Sequence, residues 1–320
     1  MWKINFEQYK KLSGRDLYPQ IFYEIGKKNH DILLFGADCV NSNGGGLFKE
    51  NFPERTFDFG IAEANMVSVA AGLTKLGKIP VVGMFGFLVL RVAEQIKDDI
   101  CYQNRNVKLF GTHIGVNMSA GGVTHHGTED ISVLRSFPNM TIIQPGSPRE
   151  AIISMHEAIL NFSGPVYFRL SHSITKEIYN GSEFNFKIGK ANILQKGNDI
   201  TLIASGGTVS LAQEVSKLLS QKGISARLIN MHTLKPIDEE VIKQAAEETK
   251  GIVTIEDSNI AGGLGAAVTQ VVCGSYPTKV KMIGLPKDIF TVIGPSEKEV
   301  WDYFGLNQEN IINTVNSILS

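Results

Sequence analysis

Residues 111–130, GTHIGVNMSAGGVTHHGTED, gather three of the chain's seven histidines into a glycine-rich run bordered by two acids. Residues of these types could ligate a metal, cradle a phosphate, or face the oxygens of a substrate in a channel. The metal reading is the weaker. His113 and His125 are separated by a flexible run, and His125 and His126 are adjacent, so neither pair has the same-face spacing of two helical ligands. Glycine-rich backbone with Thr and His can instead bond phosphates and hydroxyls, and Thr124 stands just before the helix-like ISVLRSF.

Three other stretches carry residues of chemical interest. Glu63, in FDFGIAEANM, opens a helix pattern whose following face, Met66, Val67, Ala70 and Ala71, is apolar. It reads either as a functional acid or as a helix N-terminal carboxylate favoured by the macrodipole. In GMFGFLVLRVAEQI, Phe85 and Phe87 precede a helix carrying Arg91 and Glu94; a flat aromatic at a strand end stacks on a heterocycle or packs in the core. Gly262, Gly263 and Gly265 in EDSNIAGGLGAAVTQVV could form a dinucleotide turn, but GGLG is not GxGxxG, and tight strand-to-helix packing is the better reading.

The elements that must position these residues follow a regular rhythm. DILLFGAD, KIPVVGMF, NVKLFGTH, MTIIQP and GPVYFRL alternate with helix-like stretches such as IAEANMVSVAAGLTKLG and SPREAIISMHEAIL. Apolar strands alternating with amphipathic helices imply a parallel sheet covered on both faces. The polar HSITKEIYNGSEFNFK breaks the rhythm, and DITLIASGG, SARLINMH and IVTIED restart it. The expected fold is therefore α/β with two doubly wound domains, residues 1–175 and 193–320, joined by a linker at 176–192. Ligands in such sheets gather at the carboxyl ends of the strands, where DILLFGAD, VVGMF, KLFGTH and VYFRL end.

Composition narrows the partners. With 43% apolar and 20% charged residues over 320 positions the chain can build sizeable cores, and a net charge of −1 gives no footprint for nucleic acid or an anionic membrane. No apolar run approaches a membrane span and the start lacks a signal-peptide layout, so a cytoplasmic protein is expected. Cys39, Cys101 and Cys273 are odd in number and widely spaced, which fits reduced thiols.

Taken together, FGIAEANM, the aromatic strand end before RVAEQI, the run GTHIGVNMSAGGVTHHGTEDISVLRSFPNMTIIQP and EDSNIAGGLGAAV resemble, in order and spacing, the C-terminal half of a transketolase, from about Arg15 to the end. The resemblance implies a thiamine diphosphate-binding pyrimidine-type domain followed by a transketolase C-terminal domain. Such enzymes hold the cofactor diphosphate and its Mg²⁺ through a GDG sequence in a separate domain, and this chain contains no GDG. The resemblance therefore also implies a partner, an N-terminal transketolase subunit carrying GDG and most of the Mg²⁺ site, in a heterotetramer of two chains of each kind, with no metal ligands in this chain.

The resemblance also assigns residues. Glu63 matches the glutamate that bonds the aminopyrimidine ring nitrogen and so promotes proton removal from the cofactor's reactive carbon. Phe87 matches the aromatic that stacks on that ring, with Phe85 and Arg91 in the same pocket and Met84 at the place of an earlier aromatic. Asp38 matches a cofactor-proximal aspartate, although a strand-end Asp also serves as a loop cap. His113 and His125 match two channel histidines that bond sugar oxygens and move protons. Arg15, Ser42 and Arg169 align with residues holding the distal anionic group of a sugar phosphate, a task suited to guanidinium.

The departures concern the substrate. Gly121 stands where most relatives have an Asp that recognises a hydroxyl beside the reacting carbonyl, and His126 where they have Gln; Ser171 and His172 replace a frequent Gly and Arg. Loss of that carboxylate removes a charge-assisted hydrogen bond of about 1.5–3 kcal/mol. The expected activity is transfer of a two-carbon ketol unit from a ketose with a distal anionic group to an aldose. A branched ketose phosphate such as apulose 4-phosphate, or a sulfo-sugar such as 6-deoxy-6-sulfofructose, is a candidate donor. Two related activities share the architecture, 1-deoxyxylulose-5-phosphate synthase and the beta subunit of 2-oxo-acid dehydrogenases. A non-catalytic nucleotide-binding regulatory subunit is the rival of another class, resting on GGLG alone.

Overall fold

The structure, a computed structural model, describes residues 12–171, 176–179 and 184–320, with the side chain of Arg15 outside the described set. Two sheets organise the chain. In the first, β1 (Ile32–Gly36), β2 (Thr56–Asp58), β3 (Ile79–Phe85), β4 (Lys108–Thr112), β5 (Thr141–Ile143) and β6 (Val166–Leu170) run parallel in the order β5-β6-β4-β3-β1-β2. The strands β1, β4 and β6 are buried at every position, which is what sheets covered on both faces demand of ILLFG, KLFGT and VYFRL. The second sheet holds β7 (Asn192–Gln195), β8 (Ile200–Ala204), β9 (Ala226–Asn230), β11 (Ile252–Asn259) and β12 (Val280–Leu285) in the order β12-β11-β8-β9-β7, with only β7 antiparallel to its neighbour.

One strand crosses over. The short β10 (Thr233–Lys235) belongs by sequence to the second half, yet it pairs antiparallel with β5 at the edge of the first sheet. The two halves are therefore hydrogen-bonded to each other, and a single apolar cluster runs from Phe35, Met66 and Met84 through Ile142 to Met231, Ile242 and Leu264. Periodicity places a strand but not its partner, so this edge was invisible to pattern reading.

Local chemistry starts and stops the helices that matter for the site. Ser13 caps α1 (Gly14–Lys28) by accepting from the Asp16 amide at 3.4 Å. The helix α2 (Gly46–Asn51) follows the β1 loop, and α3 (Glu63–Leu73) opens on Glu63 with no side-chain cap from Ala62. The helix expected to carry Arg91 and Glu94 is not one ordinary helix: the chain winds tightly as 3₁₀ over Gly86–Val92, which takes in Phe87, passes through one α turn at Ala93–Gln95, and widens to a π turn at Ile96–Cys101. After β4 the glycine run leads to α4 (Asp130–Arg135), and α5 (Pro148–Leu160) starts with Ser147 as cap and Pro148 in its first turn. The second half adds α6 (Thr208–Gln221), α7 (Glu239–Glu248), α8 (Leu264–Gly274), α9 (Glu297–Tyr303) and α10 (Gln308–Leu319). Among the described residues no helix is long and apolar enough to cross a membrane.

Candidate active site

The carboxyl ends of β1, β3 and β4 lie side by side, and each delivers residues singled out in the sequence. Glu63 sits at the first position of α3 with its side chain 6% exposed. The Arg91 guanidinium, on the neighbouring 3₁₀ turn, donates toward both carboxylate oxygens, 3.2 Å from Oε1 and 3.3 Å from Oε2. The helix face behind it, Met66, Val67, Ala70 and Ala71, is buried, as the apolar spacing predicts. A carboxylate so enclosed is held by the helix N-terminus and by one half-exposed cation.

Beside it stands a wall of rings. Phe85 and Phe87 stack with centroids 5.6 Å apart and planes 17° from parallel. The His113 ring meets Phe85 edge-on at 4.7 Å, and the His125 ring leans on Phe87 at 5.2 Å. Tertiary structure thus brings together four residues spread over some forty positions of sequence, as the strand-end argument predicts. Asp38 and His113 both take left-handed backbone, φ 56° and 52°, at a cost of roughly 1 kcal/mol each. The Asp38 amide donates to Asp58 Oδ1 at 2.9 Å, so Asp58 caps this loop and the Asp38 side chain is left exposed, as is Ser42. Burial, with the Asp58 and Glu63 charges adding, pushes the neighbouring Cys39 thiol up.

The glycine run folds back on itself: the Gly115 and Gly127 amides donate to each other's carbonyls at 2.8 and 2.9 Å. A Cβ on Gly121 would lie 2.8 Å from the His125 Cβ, so the glycine is what lets His125 sit where it does. The exposed His125 has Nδ1 2.9 Å from Thr124 Oγ1.

Two assignments need correction. Arg169, expected at a distal anion, is wholly buried and bonded to Asp130 through Nε at 2.9 and 3.1 Å, while Nη2 donates to the Gly127 and Asp257 carbonyls. Its strand position faces the core, where Tyr167 also donates to Asp130 at 2.7 Å. Arg169 holds the channel run against β11 through Nη2, while Nη1 stays buried without a partner. His126 is 3% exposed with Nδ1 2.6 Å from Thr291 Oγ1, in the segment after β12; burial pushes its pKa down. It too braces the run from behind. Arg15 lies in α1 and His172 follows β6; the side chain of the first and the whole of the second lie outside the described residues.

Sequence reading passed over Asn43, Thr112, Thr291 and Asp257. All are small or ordinary polar residues whose importance comes from what they meet: the Asn259 amide donates to Thr128 O at 2.9 Å and that of Gly294 to Ser119 O at 3.1 Å, so the second half clamps the run along its length. Among the described residues no group of three or more His, Cys, Asp or Glu could hold a metal. At GGLG the Glu256 carboxylate accepts from the Leu264 and Gly265 amides at 2.8 and 2.7 Å and from the Ser258 hydroxyl. The chain's own carboxylate fills the anion position of the α8 N-terminus, which removes the support for a dinucleotide there.

Comparison with known proteins identifies the family. The transketolase pyrimidine-binding domain matches residues 10–177, and the transketolase C-terminal domain matches residues 189–311. The chain is 36% identical to one subunit of an apulose-4-phosphate transketolase of Phocaeicola vulgatus, over 95% of this chain and 96% of that one. It is 33% identical to a 6-deoxy-6-sulfo-D-fructose transketolase subunit of a Clostridium species, over 95% and 94%. A solved structure described as a split gene transketolase, inactive beta4 tetramer, superposes with a TM-score of 0.86 at 34% identity, covering 96% of this chain and 98% of that chain. With its two α/β sheets, its buried acid at the start of α3 and its wall of paired aromatics and histidines, the chain belongs to the transketolase family.

Proposed function

We propose that this chain is the C-terminal subunit of a two-chain, thiamine diphosphate-dependent transketolase that moves a two-carbon ketol unit from a ketose with a distal anionic group to an aldose. The observation that carries the reading is Glu63, enclosed at a helix N-terminus beside stacked Phe85 and Phe87 with His113 and His125 on the same wall. The donor set fits the pyrimidine half of the cofactor. Arg91 takes one lone pair of each Glu63 oxygen and leaves capacity for a ring nitrogen, and Phe87 offers a flat face for the ring. Asp38, exposed at the end of β1, would stand near it. When bound, the cofactor supplies the carbon nucleophile that no side chain provides.

The chain's own residues do the rest. Glu63 holds the proton-sharing contact to the ring nitrogen, and the low exposure of its carboxylate keeps water from competing. His113 and His125 bond the sugar oxygens and take or return protons as a carbonyl becomes a hydroxyl. Ser42 and Arg15 receive the distal group. The apulose-4-phosphate transketolase subunit, matched over 96% of its length, supports leaving the diphosphate and Mg²⁺ to a partner subunit, in a heterotetramer. Gly121, lacking the carboxylate, favours a donor other than the usual pentulose or hexulose phosphate, and the apulose phosphate and sulfofructose enzymes are relatives of that kind.

Co-expression with a subunit carrying GDG, followed by assay with thiamine diphosphate, Mg²⁺ and a panel of ketoses, tests this. Ketol transfer is expected, and Glu63→Ala should lower turnover at least roughly 100-fold. Release of CO₂ from pyruvate in place of transfer would point to a synthase of the 1-deoxyxylulose-5-phosphate kind, and full turnover by an assembled Glu63→Ala complex would refute the mechanism.

A further inference from the structure

We propose that Asp257, on β11 of the second half, is a positioning residue for the channel run: its carboxylate pegs the neck from which residues 116–126 hang, and so sets where His125 stands. The value of this peg for turnover rests on the proposed role of His125 at the substrate; the contact itself does not.

The run is a loop closed at its base. The Gly115 and Gly127 amides donate to each other's carbonyls, and Gly121 and His125 lie beyond that neck. Asp257, 4% exposed, lies directly against it. A Cβ on Gly115 would fall 1.9 Å from Oδ2, 2.3 Å from Cγ and 2.5 Å from Oδ1, so the carboxylate occupies the place of a side chain there. Glycine allows this approach, and its φ of 56° turns the chain over the carboxylate. Behind the neck a single Arg169 nitrogen, Nη2, donates to the Gly127 and Asp257 carbonyls and ties the two together. Next along, the wholly buried Val116 side chain packs with Leu285 of β12 and with Val300 and Trp301 of α9. The second half therefore holds this neck by main chain and side chain alike.

The peg is a titratable group in a closed place. Arg169 from β6, the Trp301 indole from α9 and the Val116 amide favour its ionised form, and Asp130 from α4 opposes it. Burial outweighs the first three and pushes the carboxyl up to about 6. Among the described residues neither Asp257 Oδ1 nor the Trp301 indole nitrogen makes a full hydrogen bond. The hold on both donors then rests on the negative charge, and a neutral side chain at 257 draws them less. His125 stands two residues before Gly127, so a shift of the neck is carried to the ring that leans on Phe87 at 5.2 Å.

The test begins with Trp301, one of two tryptophans, whose indole ¹⁵N–H signal in the full chain is identified by its loss in Trp301→Phe. In wild type that signal should move with pH about a midpoint near 6. In Asp257→Asn, which keeps shape and loses charge, it should stay still; Asp257→Ser serves the same comparison if Asp257→Asn does not fold. In the complex reconstituted with its partner, the variant should lower kcat/KM for the ketose by roughly tenfold with assembly unchanged. A wild-type indole signal indifferent to pH overturns the peg. So does one that titrates alike in the variant, or a variant complex with wild-type kcat/KM. The expected indole titration in a pair that transfers no ketol unit would support the peg and fault the functional reading alone.

Discussion

Placing Asp at position 121 should redirect substrate preference, and the cost of doing so can be read from the channel wall. A Cβ there lands 2.8 Å from the Cβ and 3.1 Å from the Cγ of His125, where unstrained carbon atoms keep about 3.5–4.0 Å. His125 must retreat by roughly 0.7 Å, against the Phe87 ring it leans on at 5.2 Å. Misplacement of this order lowers turnover by up to about 100-fold. Gly121→Ala isolates that displacement and should lower kcat/KM for all ketoses alike. Gly121→Asp carries the same displacement and adds an acceptor worth about 1.5–3 kcal/mol to a substrate hydroxyl, equivalent to roughly 10- to 150-fold in rate. The ratio of kcat/KM for an ordinary pentulose phosphate to that for a branched or sulfonated ketose should therefore rise by this factor in the Asp variant and stay fixed in the Ala variant. Steady-state ketol transfer by the partner-reconstituted complex measures both ratios. Equal ratios in wild type, Ala and Asp would refute the argument that position 121 reads the sugar.

The remaining predictions concern the joints behind the site. Asp130→Asn leaves the wholly buried Arg169 without its hydrogen-bonded counter-ion and should cost about 3–5 kcal/mol in urea unfolding; a loss under about 1 kcal/mol would show that Arg169 does not depend on this pair. Thr291→Val strips the 2.6 Å partner from His126 Nδ1 and should destabilise by roughly 1–3 kcal/mol, read by the same assay, with an unchanged midpoint counting against the clamp. Glu150, buried between α5, Tyr179 and Asn230, has its pKa pushed from 4.5 to about 7 by burial. The folded state then holds a proton that the unfolded chain has lost, so stability falls as pH rises from 4.5 to about 7, by roughly 3 kcal/mol in all. Glu150→Gln should flatten that segment of the stability profile, and an unaltered slope would place the titration elsewhere.

Much of the site was legible because its chemistry is local to strand ends. Alternation of apolar strands and amphipathic helices located the loops after β1, β3 and β4 that carry Phe87, His113 and His125, and the helix after β2 that opens on Glu63; the roles of these four came from the family resemblance, since residue type alone left a cap or core packing open. Arg169 misled for a physical reason. Its alignment and its charge suggested an anion, but only the packed sheet shows the side chain pointing inward to Asp130 and to two carbonyls. His126 likewise read as a channel residue until the segment after β12 closed over it.

The sequence by itself determined the α/β class, the order of elements and the residue types at the carboxyl ends of the strands, since periodicity and turn chemistry are properties of neighbours in the chain. Tertiary structure alone decided that β10 completes the first sheet, that Glu256 fills the glycine turn from within, and that the Asp257 carboxylate lies against Gly115. Each of these depends on contacts between residues far apart in sequence, where direction and burial, not residue type, settle whether a polar group serves a ligand or the fold.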